Sequence, residues 1–282
     1  MLEKLDGVVI AVRDAEVAAE TFEKLFDTQV LGTEKSEALN AGLTELACGA
    51  DIIRLAVPMG EGPIKDHIDR WGEGIVGSVF AAKDPDAVVE RVKSKGVDVL
   101  TDDVLHLLDF DKTHGLLTMI VPHVEHDPVG VISFIYETTH LVGDWKVVSA
   151  FWTDIFGLDG MKYSPIKSDQ YGYEGVLTLF DPPDKLDRIE VVYPHDTQKA
   201  MGRFFLKRGE SPYMFFMETG DMPLLRERLK AAGARFAPEE EPKQPNSLFV
   251  HPSSTHGVLI GVSPTNLAWV WSGRPELARA ES

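Results

Sequence analysis

Apolar and polar positions along this chain switch between two periods, and the switching itself repeats. Residues 5–12 (LDGVVIAV) form a β-branched run that predicts a strand. From Asp14-Ala15-Glu16 onward, Val17, Phe22, Leu25 and Phe26 recur at helical spacing, which predicts a helix with one face on a sheet, and Gly32 ends the unit. Strands follow at 43–48 and 51–57, parted by Gly49-Ala50 and closed by Pro58. A second unit opens with 75–82 (IVGSVFAA). Its helix starts at Asp84-Pro85-Asp86 and stops at Lys95-Gly96, with strands near 97–100, 117–121 and 129–136. The third runs from His140-Leu141-Val142 through a helix at 145–156, halted by Gly157, to strands near 161–164, 174–180 and 187–193. The fourth opens at 213–219 (YMFFMET), with a helix at 221–232 ended by Gly233 and strands near 235–237, 247–250 and 257–263.

Strand-helix-strand-strand-strand therefore occurs four times. Several strands per helix point to an α+β fold rather than a doubly wound sheet. No strand is followed by a GxGxxG or GxxxxGK turn, so no dinucleotide or nucleotide fold is indicated. The stretch 265–282 carries Trp269 and Trp271, expected to pack back on the body, and ends in a charged, alanine-rich tail expected to fray.

Composition narrows the function. The 282 residues suit one large domain or two of about 140. With 28 Lys plus Arg against 45 Asp plus Glu, the net charge is −17. That argues against nucleic acid or an anionic membrane surface as partner, although a local basic pocket for a small anion remains open. The single cysteine, Cys48, excludes an internal disulfide and reads as a buried, inert thiol. Met1 to Gly7 carry no apolar leader segment, and no apolar run reaches the roughly 20 residues that cross a bilayer. A soluble, cytoplasmic protein is expected.

Three stretches resemble the vicinal oxygen chelate superfamily, which includes glyoxalase I, methylmalonyl-CoA epimerase, extradiol dioxygenases and antibiotic-resistance proteins. Residues 150–158 (AFWTDIFGL) resemble the helix of its opening module. Residues 204–210 (FFLKRGE), echoed by 71–75 (WGEGI), resemble the linker before the second module. Residues 251–260 (HPSSTHGVLI) resemble the turn and last strand of the epimerase group. The resemblance implies four βαβββ modules in two tandem cupped mixed sheets: 1–135, 136–264, and a tail at 265–282. It also implies a His on the first strand of the opening module and a Gln or Glu on that module's last strand, with a His on the first strand of the closing module and a Glu on its last strand. Such a set suits Zn, Fe, Mn, Co or Ni with open positions for substrate oxygens.

Against that pattern the N-terminal half offers Gly7, Arg54, Gly77 and Phe134, a degenerate site in which Arg54 suits an anion instead. The C-terminal half offers His140 and Glu190 as metal ligands, with Tyr213 or Met214 and then Gly261 at the remaining positions. Shifted ligands are available in Glu218, His251, His256 and Glu137. Without a metal, His140 and Glu190 would form an acid/base pair assisted by Tyr213 or Glu218. His114, His123 and His126 are a weaker candidate cluster. Arg203 and Lys207, in RFFLKR, are candidates for a substrate carboxylate or phosphate, and the aromatic C-terminal half suits an aromatic or apolar body. The reading is thus an enzyme of the isomerase, lyase or hydratase kind, monomeric or homodimeric, acting by proton transfer and with or without a metal. Its rivals are an extradiol-type dioxygenase and a non-catalytic small-molecule-binding protein.

Overall fold

The computed structural model describes residues 1–103, 105–240 and 247–278. The N-terminal half runs β1 (Leu2–Ala11), α1 (Ala15–Phe26), β2 (Gln29–Ser36), β3 (Ala41–Cys48), β4 (Asp51–Pro58), α2 (Pro63–Trp71), β5 (Gly74–Ala82), α3 (Pro85–Ser94), β6 (Val99–Thr101), β7 (His106–Leu108) and β8 (Leu117–Pro122). The C-terminal half runs β9 (Phe134–Leu141), α4 (Trp145–Phe156), β10 (Ser164–Ser168), β11 (Tyr173–Leu177), β12 (Arg188–Tyr193), α5 (Ala200–Arg208), β13 (Ser211–Glu218), α6 (Met222–Ala231), β14 (Phe236–Ala237), β15 (Leu248–Val250), β16 (Leu259–Ser263) and α7 (Thr265–Trp271).

Each half forms one eight-stranded mixed sheet, and the two strand orders coincide once β1 is matched with β9. The opening strands of paired modules lie antiparallel at the centre, β1 on β5 and β9 on β13. Each also pairs in parallel with the last strand of its own module. The fold is α+β, four βαβββ modules in two cupped sheets. Asp14, Asp84, Asp144 and Asp221 start the four module helices by the same device, a side chain accepting from first-turn N–H groups. Each such cap contributes about 1 kcal/mol.

The module helices are sandwiched between the sheets, α1 against α6 and α3 against α4. One continuous core there joins Phe22, Phe26 and Phe80 to Trp152, Phe156 and Phe215. Polar ties across this interface are reciprocal. Asp187 accepts from Leu5 N–H at 2.7 Å and Asp51 from Ile135 N–H at 2.6 Å. His114 Nδ1 meets Glu210 at 2.8 Å, and His256 Nδ1 meets Glu73 at 2.9 Å. Both histidines precede glycines in Thr-His-Gly turns, and a Cβ on Gly115 or Gly257 would overlap the carbonyl oxygen of Glu210 or Glu73. Gly115→Ala and Gly257→Ala are each expected to lower the melting temperature by at least about 3 °C. Gly96→Ala should lose less, because its added Cβ meets nothing within 4 Å although its φ is also positive. Thermal scans of the three variants check this.

Three regions differ from the sequence reading. The apolar stretch at 129–133 makes an isolated bridge, Gly49 to Val129, and donates from Val131 and Ser133 to Phe26 and Glu218. The third module instead opens with β9 at Phe134, so the 135/136 boundary falls inside that strand. Helices α2 and α5 occupy the expected inter-module linkers, and β2 and β7 add strands that the apolar pattern does not mark. In the tail, α7 packs Ala268 and Trp269 into the C-terminal half, while 279–282 lie outside the described residues. Among the described residues no helix is long and apolar enough to cross a membrane.

Candidate active site

The two cups differ in what fills them. In the N-terminal half Ile64 and Ile68 of α2 sit in the cup against Val9, Leu39, Leu43, Val79 and Met119. Arg54 lies within reach of two carboxylates, donating to Asp6 at 3.0 Å and Glu45 at 2.9 Å. That guanidinium is therefore compensated within the protein and offers no site for an anion.

The C-terminal cup holds a cavity of about 670 Å³. Its walls are aromatic: Tyr171, Tyr173, Tyr213, Phe216, Phe249 and Trp271. Phe216 contacts both Phe249 and Trp271 edge-on, so α7 supplies one wall. Gly261 lies under the Phe216 ring, where any Cβ would collide with it. Lys167, Lys199 and Arg203 stand at the rim, and Glu137 and Glu190 at the floor. Lys167 and Lys199 are ion-paired there with Asp169 and Asp196, and Arg203 donates to the Gln198 carbonyl. The rim therefore keeps a small net positive charge toward an anion, with an apolar body between.

Register explains which side chains enter the cavity. Glu190 pairs with Thr139 on the β9–β12 ladder, and Thr139 Oγ1 donates to Glu190 at 2.6 Å. Tyr173 hydrogen-bonds to the same carboxyl. Burial, with the Glu137 charge beside it, raises Glu190 to about 8. It is therefore largely a neutral acid at neutral pH. Tyr173 is pushed well above its usual value, by burial and then by the two glutamates.

Two bulges set the rest. On β13, Pro212 pairs with His140 and Met214 with Thr139, so Tyr213 is the extra residue and both Tyr213 and Met214 reach the cavity. On β9, Tyr136 is the extra residue between Ile135 and Glu137, and it turns inward together with Glu137.

The structure does not bring His140 to Glu190. His140 points to the helix side, where its ring lies 6.1 Å from Trp152 and its Nε2 contacts the His114 carbonyl at 2.7 Å. Burial lowers it to about 4, so it is a neutral core imidazole. The residue on the cavity face at that rung is Thr139. Glu218 is away from the cavity, accepting from Thr265 Oγ1 at 3.0 Å. Of RFFLKR, Arg203 reaches the rim, whereas Lys207 turns to the Trp71 ring of the other half. His123 meets Glu3 and Glu125, and His251 caps the turn at Pro252–Ser254.

The middle of the cup thus presents Thr139, Glu190, Met214 and Gly261 where the resemblance expects up to four metal donors. The floor's two carboxyls, Glu190 bonded to Thr139 and Glu137 ion-paired with Arg188, with no imidazole beside them, do not fit a transition-metal centre. Among the described residues no three His, Cys, Asp or Glu are grouped to hold an ion.

No family model and no curated protein matches the chain. Solved structures do. A substituted 4-hydroxymandelate synthase from Streptomyces coelicolor superimposes with a TM-score of 0.71 at 11% identity, covering 98% of this chain and 99% of that one. A fusion of a xylose isomerase-like TIM barrel with 4-hydroxyphenylpyruvate dioxygenase gives 0.61 at 11% identity, covering 93% of this chain and 48% of the fusion. Methylmalonyl-CoA epimerase from Mycobacterium tuberculosis matches 48% of this chain, spanning 89% of its own length, at 22% identity and a TM-score of 0.41. The chain has the tandem fold of the vicinal oxygen chelate superfamily.

Proposed function

We propose that the chain is an enzyme of this superfamily that binds a small aromatic or apolar carboxylate in the C-terminal cavity and transfers a proton at Glu190, a reaction of the isomerase or lyase kind. The observation that carries the reading is a buried carboxyl, its neutral form favoured by burial, on the floor of an aromatic pocket with Lys167, Lys199 and Arg203 at its rim. A substrate carboxylate at Lys167, Lys199 and Arg203 points the other end of the molecule at the floor. There Glu190 can give its proton to a carbonyl oxygen as a neighbouring C–H bond ionises, while Thr139 and Tyr173 hold the carboxyl in place. The reading needs no metal, since Glu190 supplies as a proton what an ion would supply as charge.

The test is deuterium wash-in from D2O, followed by NMR, on 3-benzoylpropanoate and a panel of related aryl keto acids and thioesters, with Trp271 fluorescence reporting binding. Exchange above the buffer rate in the wild type, lost in Glu190→Gln, is expected. Binding without exchange across the panel would make the chain a sequestering protein and overturn the enzymatic reading.

A further inference from the structure

Two residues ahead of Glu190 on β12, and two ahead of Thr139 on β9, lies a second polar rung. Arg188 pairs in register with Glu137, and its Nε donates to Glu137 Oε2 at 2.7 Å. The two rungs share a face of one parallel ladder, so they are about 7 Å apart along the strands. Arg188 is fully buried and held on three sides. Besides Glu137, its Nη1 donates to the Leu186 carbonyl at 3.2 Å, and the guanidinium lies 4.7 Å from the centre of the Tyr136 ring. Glu137 lines the cavity beside Glu190.

The duplicated architecture provides an internal control. In the N-terminal sheet the equivalent rung is Gly7 paired with Ile52, with no charge on it. The fold therefore does not need an ion pair there. The N-terminal cup buries a pair of its own beside that rung, Asp6 with Arg54 at 3.0 Å, so what sets the C-terminal pair apart is that its carboxylate lines the open cavity. A buried pair adds little net stability to set against its desolvation.

We infer that Glu137 is a second proton-transfer group of this cavity, the base that complements Glu190, with Arg188 as its positioning residue. The inference rests on the proton-transfer reading of Glu190. In the step, the substrate C–H bond breaks and its proton goes to the Glu137 carboxylate. The C–H electron pair forms the new C=C bond, and the carbonyl π pair moves to oxygen, which takes the proton of Glu190. An enol results with Glu137 protonated and Glu190 anionic. Return of the Glu137 proton to a different carbon or face, as the enol O–H gives its proton back to Glu190 and the C=O re-forms, gives the isomer and the starting enzyme, with no oxidant or reductant involved. Two carboxyl groups on neighbouring rungs can thus act in the same step, one giving a proton as the other takes one.

The experiment is the same wash-in assay on 3-benzoylpropanoate, read as kcat and KM for Glu137→Gln, Glu190→Gln, Arg188→Met and Arg188→Lys. Glu137→Gln is expected to lower kcat by more than 100-fold with KM within threefold of wild type, as for loss of a general base. Arg188→Lys should restore most of the kcat that Arg188→Met loses, at similar KM, which a purely structural role would not produce. Where Arg188→Met fails to fold, Glu137→Gln and Arg188→Lys decide. Glu137→Gln at wild-type kcat, with Glu190→Gln inactive, would overturn the assignment of Glu137 alone. Wild type that binds without exchange would overturn the Glu190 reading and this one with it.

Discussion

Glu190→Gln is expected to cut proton exchange by about 10²–10⁴-fold, the range for loss of a positioned acid, and at the same time to stabilise the protein in alkaline solution. Glutamine keeps an oxygen to accept from Thr139 and fits the same space, so the ligand should still bind. The stability effect follows from linkage. The Glu190 carboxyl sits at about 8 in the folded protein against an ordinary 4.5. Because the folded state holds the proton more tightly, the contribution is fully present below about 4.5 and is lost as pH rises to about 8. Above that the wild type carries a buried anion next to Glu137, whereas glutamine stays neutral throughout. The two proteins should therefore melt together near pH 5, and the variant several degrees higher near pH 9. Thermal scans across that range decide it; equal melting temperatures at both ends would show that Glu190 is not held neutral by its surroundings. An inactive variant that gains stability is what a residue kept for chemistry produces.

The fold was legible because its signals are local and repeated. Each module helix starts at an aspartate that caps it, and β-branched runs mark the opening strands. The cavity was only partly legible, because its contents depend on register. The apolar stretch around Val129–Ile132 looks like a strand, and treating it as one starts β9 late and turns His140 toward Glu190. The bulges at Tyr136 and Tyr213 leave no trace in a single strand, since a bulge exists only relative to its partner. They make Tyr136 and Glu137, and Tyr213 and Met214, face the same way, which strict alternation forbids. Lys207 and Arg203 share one short helix and diverge for a similar reason: α5 carries its charges to two different halves. One signal could have been read. In Arg188-Ile189-Glu190 two opposite charges stand two apart inside an apolar strand, on one face, where each needs a buried partner. Glu137 and Thr139 repeat the same spacing on β9.

Arg188→Met is expected to be the most destabilising single change in the cavity, at about 3–5 kcal/mol, because it strands the Glu137 carboxylate without its cation. Adding Glu137→Leu to it should restore most of that loss. The N-terminal sheet has an uncharged rung, Gly7 on Ile52, at the equivalent place but buries Asp6 with Arg54 beside it, so the double variant asks whether the C-terminal half folds without a pair of its own. Equilibrium denaturation of the wild type, the two single variants and the double variant closes a cycle whose coupling term isolates the pair. A double variant at least as stable as the wild type, folded but without exchange activity, would mean that the pair is dispensable for folding and needed for chemistry. A double variant as unstable as Arg188→Met would mean the reverse: Arg188 would be holding β9, β12 and the Tyr136 ring together, and the floor of the cavity would owe its charges to architecture.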